Sequence, residues 1–493
     1  MTVDRKLNLA ANEVRRFSET VEVPTLDNPS RRTTRSTRKA PTSPWRPAGL
    51  AGATAVLVLV IVGAAALVLS SEISEVSDTP PTVQSGAPAP ETTVFPEGAE
   101  SASPISWATV PAQEALGAND QTREYQMHTV VAGGPGLIGA GEVRPAGGEF
   151  NGGLPISGGV AAVWTSEDGY SWDRVQHDES VFGAPGGALI EDLVAGGPGF
   201  VAVGGAGEES GAAVWVSTNG TDWERVMSSG PDDTMMLAVA EGDPGLVAVG
   251  FGAIWFSVDG IEWNRIEGLE EVGVLADVAY ADWGFVAVGW RQGFGVCVSG
   301  EAGSTVKPYA FISPNGTDWT RVALHPTMGN EWVAMYARTV IARNGDVVIA
   351  GSSAATCPSK FDARPAFWTS SGGSNWAEHI LDPAYVGGLV RPEAYIPGLA
   401  VTDQGLVAAG AWIHTVKSED DTPKSRPAAW YSTDGGTTWD ETSTDSVFET
   451  VNGLPDSVID DVVAFGERLV AVGSHEGTAT VWIARWANPT TEE

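Results

Sequence analysis

The chain has 493 residues, and its 62 Asp and Glu side chains outnumber its 28 Lys and Arg side chains, so the formal net charge is −34 at pH 7. A surface this acidic repels nucleic acid and anionic lipid headgroups, and we therefore expect no nucleic acid among the partners. Two cysteines are too few for a disulfide-built fold, whereas 60 glycines and 19 tryptophans suit a chain of strands and tight turns.

The N-terminal part of the sequence predicts a membrane anchor. Residues 1–47 are polar, basic and rich in Ser, Thr and Pro, which is typical of a disordered tail. Residues 48–70 contain an uncharged apolar run from Gly49 to Leu69, about 31 Å long as a helix, which is enough to cross a hydrocarbon core of about 30 Å. A cleaved signal peptide is the competing interpretation, but its apolar stretch would be shorter and would follow a short basic start.

The charges on the two sides of this run predict its orientation. Arginines and lysines precede it, whereas Glu72, Glu75 and Asp78 follow it. The positive-inside rule then predicts a single-pass plasma membrane protein, held in the membrane by one helix, with a cytoplasmic N-terminus and an extracellular remainder. Residues 71–104 are dense in Ser, Pro, Glu and Thr, which predicts an extended stalk.

From about residue 105 the sequence becomes repetitive. The turn motif Ser-x-(Asp/Asn/Gly)-Gly, followed three or four residues later by Trp, recurs in six copies, which begin at Ser166, Ser217, Ser257, Ser313, Ser370 and Ser432. Apolar runs such as Gly199-Phe-Val-Ala-Val-Gly204 precede the turns, and an aromatic residue stands two positions before the Ser. A motif that recurs in this way is typical of a repeat architecture.

The repeat predicts an all-β fold. Four short strands per unit and seven units correspond to a seven-bladed β-propeller of four-stranded blades over residues 105–487, with a short tail at 488–493. The last unit lacks a fourth strand, whereas Ser106-Trp-Ala-Thr-Val110 resembles the fourth strands of the other units. We therefore expect this N-terminal strand to pair with the last unit and to close the ring, which would leave no free sheet edge.

The repeated turn also resembles a known motif. Ser432-Thr-Asp-Gly-Gly-Thr-Thr-Trp439 is similar to the Asp-box, and the other five copies are one residue shorter. The chain thus resembles the Asp-box, or BNR, propellers, which include sialidases, other glycoside hydrolases and binding proteins. The resemblance implies a structural role, remote from any catalytic face, for the polar residue of each box: Asp168, Asn219, Asp259, Asn315 and Asp434.

The sialidase active site cannot be transferred to this chain. Sialidases carry an Arg-Ile-Pro motif, and this sequence contains none. No catalytic residue is assigned on the resemblance. A glycoside hydrolase with diverged catalytic residues stays open as an alternative, since such hydrolysis needs only two carboxyl groups at a suitable separation.

A ring of polar residues is predicted at the mouth of the central channel. Counting back from the start of each second strand selects three carboxylates and an arginine near the start of the innermost strands: Asp192, Asp277, Arg338 and Asp461. They are candidates for binding a small polar ligand or a cation such as calcium. The sequence indicates no other cofactor. The alternative is that these side chains bond the ends of neighbouring strands.

Long loops between the second and third strands supply a second group of candidates. Propeller ligands usually bind where the loops are longest. The loops of units 1, 4, 5 and 6 are long, and they are predicted to share the face of the channel mouth. Trp290, Arg291, Trp412 and His414 belong to this group, and Trp and Arg are common in binding hot spots. A carbohydrate or an acidic protein surface would suit them, although loops are often charged only for solubility.

The two cysteines fall in equivalent loops of adjacent units. Cys297 and Cys357 are therefore predicted to form a disulfide outside the cell. The six His are scattered, and no Cys/His cluster has the spacing of zinc ligands, so no metal site is predicted. The sequence as a whole favours a membrane-anchored binding module for an extracellular protein or glycan. The alternatives are the diverged hydrolase and a scaffold that assembles an envelope complex.

Overall fold

The computed structural model describes the chain from residue 104 to residue 486 with gaps. The described residues are 104–110, 122–145, 150–151, 154–155, 159–207, 210–228, 234–269, 272–296, 302–324, 333–355, 363–381, 392–414, 424–442, 457–475 and 478–486. The predicted tail, membrane helix and stalk, the C-terminal residues 488–493, and both Cys297 and Cys357 lie outside them. Within these ranges, no helix has the length and apolar character needed to cross a membrane.

Almost all of the described regular structure is β-strand. The first strands are β1 Ile105–Val110, β2 Arg123–Gly133, β3 Gly136–Pro145, β4 Phe150–Asn151, β5 Leu154–Pro155, β6 Val160–Ser166, β7 Asp173–Arg174, β8 Ala188–Gly196, β9 Gly199–Ala206, β10 Gly211–Ser217, β11 Trp223–Ser228, β12 Met236–Gly242, β13 Gly245–Gly250, β14 Ala253–Ser257 and β15 Asn264–Arg265. One short helix, α1, spans Glu179–Phe182 between β7 and β8.

The second half of the chain continues in the same way. Its strands are β16 Val274–Ala281, β17 Gly284–Val296, β18 Ala302–Ser313, β19 Thr320–Ala323, β20 Val333–Arg343, β21 Asp346–Ala355, β22 Ala363–Ser371, β23 Ala377–Ile380, β24 Pro392–Val401, β25 Leu406–His414, β26 Lys424–Ser432, β27 Asp440–Glu441, β28 Ser457–Phe465, β29 Arg468–His475 and β30 Thr478–Trp486.

These strands are grouped in antiparallel sets of four. In chain order, set 1 is β2-β3-β6-β7, sets 2 to 6 are β8–β11, β12–β15, β16–β19, β20–β23 and β24–β27, and set 7 is β28-β29-β30-β1. Sets 4, 5 and 6 are joined into one 12-stranded sheet by the parallel bridges Val306↔Ala334 and Ala363↔Glu393. Consecutive four-stranded antiparallel groups of this kind are the architecture of a β-propeller.

The core lies between neighbouring sets. The second strand of each set is apolar without alternation, as in Phe200-Val-Ala-Val203, because one face packs on the preceding set and the other on the following set. One core cluster joins Val201 and Val203 of set 2 to Leu246 and Trp255 of set 3. The large buried tryptophans are therefore packing residues, each removing about 150–250 Å² from water.

The N-terminal strand β1 completes the last set. It pairs antiparallel with β30 from Ile105↔Trp486 to Val110↔Val481, which is the pairing predicted for the segment from Ser106. The side chain of Trp107 is buried, and its Nε1 donates a hydrogen bond to Thr442 Oγ1 at 3.1 Å, just beyond set 6.

The repeated turn connects the third and fourth strands of sets 1 to 6. In the first copy, Ser166 Oγ accepts from Gly169 N at 2.8 Å, Asp168 Oδ1 accepts from Tyr170 N at 2.8 Å, and Trp172 Nε1 donates to Gly169 O at 3.0 Å. The copies with Asn219, Asp259, Asn315 and Asp434 make corresponding bonds from backbone nitrogens to the box oxygen.

The fifth copy of the turn shows what the carboxylate contributes. Gly372 occupies the position of Asp168, and the buried hydroxyl of Ser370 has no hydrogen-bond partner. The Trp376 Nε1 to Gly373 O bond is kept at 3.0 Å. The tryptophan and the glycine thus hold the turn where the carboxylate is missing, and the box residues act within the turn rather than toward a ligand.

Candidate functional site

A β-bulge recurs in every described first strand. The register with the second strand shifts at the same repeat position in all seven sets. The extra residues are His128, Glu191, Leu237, Ala276, Arg338, Ile396 with Pro397, and Asp460. A bulge re-aims a side chain and interrupts the ladder, and such positions often flank functional sites.

The bulge corrects one part of the predicted polar ring. Arg338 was aligned with Asp192, but Thr339 is the residue that resumes the ladder after the bulge, as Asp192 does in set 2. Arg338 is itself the bulged residue. The ring therefore separates into two layers, one of bulged residues and one of the residues that follow them.

The aspartates of the second layer bind the neighbouring first strand. Asp461 Oδ2 accepts from Val130 N at 2.9 Å, Asp192 Oδ2 from Val239 N at 2.8 Å, and Asp277 Oδ2 from Val340 N at 2.7 Å. The other oxygen of each accepts from the next nitrogen of its own strand, at 2.7 Å. Their lone pairs are thus directed at backbone groups of two sets, the arrangement of a structural clasp.

Burial governs the ionisation of these clasps. It raises the pKa of Asp192 to about 6, of Asp461 to about 7 and of Asp277 to about 8, although the backbone hydrogen bonds act in the opposite direction. Thr129 Oγ1 lies 3.1 Å from Asp192 Oδ1 and 3.2 Å from Asp461 Oδ2, which links the carboxyl groups on both sides of set 1.

Arg338 is placed differently, among aromatic rings. Its guanidinium carbon lies 5.1 Å from the ring centroids of Trp290 and Tyr336 and 4.7 Å from that of Tyr395. Trp290 and Tyr336 pack edge to face at 5.3 Å. The sequence singled out Trp290 and Arg338 for separate reasons, and the structure brings them together. We call Trp290, Tyr336, Arg338 and Tyr395 the arginine cage.

The arginine cage is built by three neighbouring sets. Trp290 extends from β17 of set 4, Tyr336 and Arg338 belong to β20 of set 5, and Tyr395 belongs to β24 of set 6. These strands run on past the bulge toward the loops between second and third strands, where the two parallel bridges join the sets. A small apolar cluster at the bridges, Val306, Ala334 and Ala363, packs against Trp290 and Tyr336 and supports the rings.

The hydrogen-bonding capacity of Arg338 is unused. Its Nε is buried and has no hydrogen-bond partner, and within the described ranges no acceptor or carboxylate pairs with its guanidinium. Glu393 lies within electrostatic range, but burial is the main influence on that carboxyl and raises its pKa. Burial also raises the pKa of Tyr395 to about 12. A charged donor held among rings without an acceptor is a feature of a ligand site.

Asp460 and Glu191 are two carboxyl groups of the bulge layer. Burial is the main cause of the raised pKa of Tyr395. The charge of Asp460 also raises this pKa, that of Arg338 lowers it, and that of Glu191 raises it. Burial raises the pKa of Glu191 to about 7, and burial with the nearby Glu191 raises that of Asp460 well above its usual range. Glu191 nevertheless keeps 27% of its side chain exposed, so solvent can reach it.

His128 is the cationic candidate nearest to these carboxyls, and it is a weak one. Its Nδ1 lies 3.6 Å from Glu191 Oε2 and 3.0 Å from the carbonyl oxygen of Ile190. Burial lowers the pKa of the imidazole, which favours its neutral form. The nearby Arg144 is engaged by its own strand pair, since its Nε donates to Glu124 Oε2 at 2.8 Å.

Other predicted residues take different places. Trp412 is 1% exposed, its Nε1 donates to Glu441 Oε1 at 2.8 Å, and it packs on Trp430, so the expectation of a surface tryptophan is wrong and its role is in the core. Arg291 follows Trp290 on β17 and is half-buried. His414 ends β25 opposite Pro392. Among the described residues, no three His, Cys, Asp or Glu side chains form a group that could hold a metal ion.

Sequence patterns did not identify five members of this region: His128, Glu191, Tyr336, Tyr395 and Asp460. Counting positions from the second strand passes over a bulge, because the bulged residue has no partner to be counted against. The available signal was the pair of polar residues that precede the counted positions, Glu191 before Asp192 and Asp460 before Asp461.

No protein-family model matches the sequence, and no curated protein matches it. Among solved structures, YCF48 from Cyanidioschyzon merolae is 15% identical, with a TM-score of 0.45, over 78% of this chain and 99% of that one. Catalytically inactive virginiamycin B lyase from Staphylococcus aureus is 8% identical, with a TM-score of 0.43, over 77% and 99%. A protein described as a glycoside hydrolase, from Parabacteroides distasonis, is 11% identical, with a TM-score of 0.32, over 74% and 87%. Likeness at this level carries no argument about activity.

Proposed function

We propose that the protein is a membrane-anchored extracellular β-propeller that binds a protein or glycan partner through an anionic group of that partner, held at Arg338. The observation that carries the proposal is the guanidinium of Arg338, which lies among three rings at 4.7 to 5.1 Å and has an unpartnered Nε. The proposed protein also has a closed ring of blades, an anionic ligand group and a membrane anchor.

The seven sets are the blades of a closed ring in this proposal. Three observations support it: β1 pairs with β30, β28 of set 7 contacts β2 of set 1, and Asp461 bonds Val130 across the same junction. The turn bonds and the motif resemblance support membership of the Asp-box propellers. A ring of blades brings all the bulged residues to the mouth of one channel.

An anionic group is the ligand chemistry that suits Arg338. Three rings lie around the guanidinium, and its N–H groups are the part that can bind an acceptor. A carboxylate matches two parallel N–H donors, and the apolar surroundings strengthen the charge-assisted hydrogen bonds. Arginine keeps its charge at every physiological pH, so the site is always cationic.

The strong negative charge of the protein argues for a local attraction rather than a global one. With a net charge of −34, the molecule as a whole repels an acidic partner. Salt screens such long-range repulsion over about 8–10 Å and affects close, partly buried contacts much less. Association with an acidic partner should therefore become faster as salt is added, the reverse of ordinary electrostatic steering.

The membrane part of the proposal rests on the sequence. The uncharged run from Gly49 to Leu69 and the basic residues before it predict one membrane helix and an extracellular propeller. Protease treatment of intact cells tests this topology. Digestion of the propeller with protection of the tail is expected, and loss of the tail with protection of the propeller would reverse the orientation.

Thermal melts of the full-length chain in detergent test the ligand class. A ligand that binds only the folded state stabilises it by about 2.7 kcal/mol at a hundredfold its Kd. We expect a rise in Tm with acidic sugars or acidic peptides and none with neutral sugars. Arg338→Gln should abolish the rise, whereas the control Arg321→Gln, at an exposed arginine 5.0 Å from one ring, that of Tyr309, should keep it.

Two results would count against the proposed function. One is a rise in Tm that survives Arg338→Gln, which would place the ligand elsewhere. The other is no rise with any acidic compound. A sugar that binds should also be incubated with the protein and tested for cleavage, because release of product would favour the diverged glycoside hydrolase over a binding module.

A further inference from the structure

We propose that the ligand group bound at the channel mouth is zwitterionic, with its anion at Arg338 and an ammonium or similar cation at Asp460 and Glu191. This inference rests on the proposed function and names the ligand class of the same site. It follows from the opposite charges of the bulge layer, where Arg338 is a cation and Asp460 and Glu191 carry carboxyl groups.

The first step concerns the charges that lack partners. Among the described residues, no basic side chain pairs with Asp460, and Glu191 reaches only the imidazole of His128, at 3.6 Å. Arg338 has no carboxylate partner in the same part of the chain. A cation and two carboxyls thus occupy the bulge layer without forming ion pairs with each other, although a buried charge without a partner is costly.

The strand β24, which carries Tyr395, contacts both β20, which carries Arg338, and β28, which carries Asp460. The ring of Tyr395 contacts the guanidinium of Arg338 at 4.7 Å. Besides burial, the negative charges of Asp460 and Glu191 raise the pKa of its hydroxyl. A ligand that lies along Tyr395 can therefore meet both kinds of charge, and the tyrosine supplies an apolar surface for the atoms that connect them.

The strands around Glu191 and Asp460 carry other side chains that could be considered as partners for this carboxyl pair. The titratable or charged groups on the strands packed around them are His128, Glu142, Arg144, Asp192, Asp461, Tyr395 and Arg338. His128 is held toward its neutral form by burial, Arg144 is bound to Glu124, and the aspartates add negative charge. A ligand cation is the missing partner.

Proton release provides the signature of such binding. The pKa values of Glu191 and Asp460 are raised, so part of the pair is protonated near neutral pH. An ammonium group beside them favours their charged forms and expels a proton. The heat of binding must then depend on the ionisation enthalpy of the buffer, which an uncharged hydroxyl-bearing ligand would not cause.

The test uses isothermal titration calorimetry of the full-length chain in detergent at pH 7, in two buffers that differ in ionisation enthalpy and contain neither phosphate nor carboxylate. The probes are linear ω-amino acids of four, six and eight carbons, with hexanoate and hexylamine as single-charge controls. At one chain length we expect binding at least about tenfold tighter than that of either control, since the amino acid makes a charge-assisted contact at each end. The binding heats in the two buffers should differ, because the buffer takes up the released proton and contributes its own ionisation enthalpy.

Variants separate the two ends of the ligand. Arg338→Gln should weaken hexanoate and the amino acid alike, whereas Asp460→Asn and Glu191→Gln should weaken the amino acid and hexylamine but not hexanoate. Asp243→Asn makes the same charge change at an exposed residue of the β12–β13 turn and should change nothing. Thermal melts of each variant establish that it is folded.

The outcomes distinguish the zwitterionic ligand from the anion site of the proposed function. If hexanoate binds through Arg338 but no chain length improves on it, the zwitterion is ruled out and the anion site stands. Tighter binding of an amino acid that ignores Asp460→Asn and Glu191→Gln also rules it out. If no probe binds in a manner that depends on Arg338, the anion site and this inference are both overturned.

Discussion

Asp461 and Val130 join the two ends of the repeat: Asp461 Oδ2 accepts a hydrogen bond from the backbone nitrogen of Val130 at 2.9 Å, across 331 residues of sequence separation. The same carboxylate accepts from Val462 N at 2.7 Å. Corresponding bonds from Asp192 to Val239 and from Asp277 to Val340 connect other neighbouring sets. Carboxylates in one repeat position thus hold first strands to one another.

Removal of this clasp should destabilise the fold. Asp461→Ala leaves two buried backbone N–H groups without an acceptor, and each such group costs about 1–3 kcal/mol. We expect a loss of about 2–5 kcal/mol in unfolding free energy by chemical denaturation of the full-length chain. The control Asp243→Ala, at an exposed turn, should change it by less than about 0.5 kcal/mol. Equal stability of the two variants would show that the clasp is not needed.

Stability should increase as the pH falls from 8 toward 5. Burial raises the folded-state pKa of Asp192 to about 6, of Asp461 to about 7 and of Asp277 to about 8, whereas these groups titrate near 3.9 in the unfolded chain. The folded state therefore binds more protons than the unfolded state between those values. The stabilisation is fully present below the unfolded pKa and is lost as the pH rises through the folded values.

The pH effect can be measured as Tm between pH 8 and pH 5. Asp277→Asn removes the group with the highest of these values and should flatten the upper part of the profile. Below about pH 4 the trend should reverse, because groups such as Asp434, whose pKa is lowered to about 2 in the folded state, lose their favourable interactions on protonation. A Tm that rises steadily from pH 5 to pH 8 would contradict the assignment.

The pairing of β1 with β30 should contribute strongly to stability. Trp107→Ala removes a side chain that is 1% exposed, and large-to-small changes of this kind cost about 3–5 kcal/mol. Thr442→Val removes only the hydrogen-bond partner of Trp107 and should cost about 1 kcal/mol. Thermal melts of both variants test the ring closure proposed above, and a Trp107→Ala variant that melts with the wild type would argue against it.

Arg338 should not be replaceable by lysine. Arg338→Lys keeps the positive charge but loses the planar fork and much of the contact with Trp290, Tyr336 and Tyr395. We expect affinity for an acidic ligand to fall by about tenfold or more, with little change in Tm of the free protein. Titration of the ligand identified by the melting experiment provides the measurement. Unchanged affinity would mean that charge alone acts there, without the cage.

The positive effect of salt on association gives an independent check. We expect the association rate of an acidic partner to rise between about 50 and 200 mM salt, because screening weakens the repulsion from a net charge of −34. Stopped-flow measurements at several salt concentrations would show this. A rate that falls steeply with salt would instead indicate a cationic partner.

The repeat itself predicted much of the local structure. Apolar runs such as Phe200-Val-Ala-Val203 form the second strands, the Ser-Gly-Trp turns connect third and fourth strands, and the segment from Ser106 pairs with β30. Each of these features depends on residues close together in sequence, or on one motif recurring in register. Local propensity and periodicity carry that information.

The candidate site was less predictable, because it depends on bulges and on contacts between sets. A shift of one residue placed Arg338 beside Trp290 and Tyr395 rather than in the layer of the aspartates. Burial of Trp412 depended on partners such as Glu441, which its own neighbourhood in sequence does not reveal. The sequence by itself determined the strands, the turns and the order of the sets. Only the tertiary structure decided which polar side chains became clasps and which were displaced from the ladder, because sequence spacing cannot detect where a bulge shifts the register.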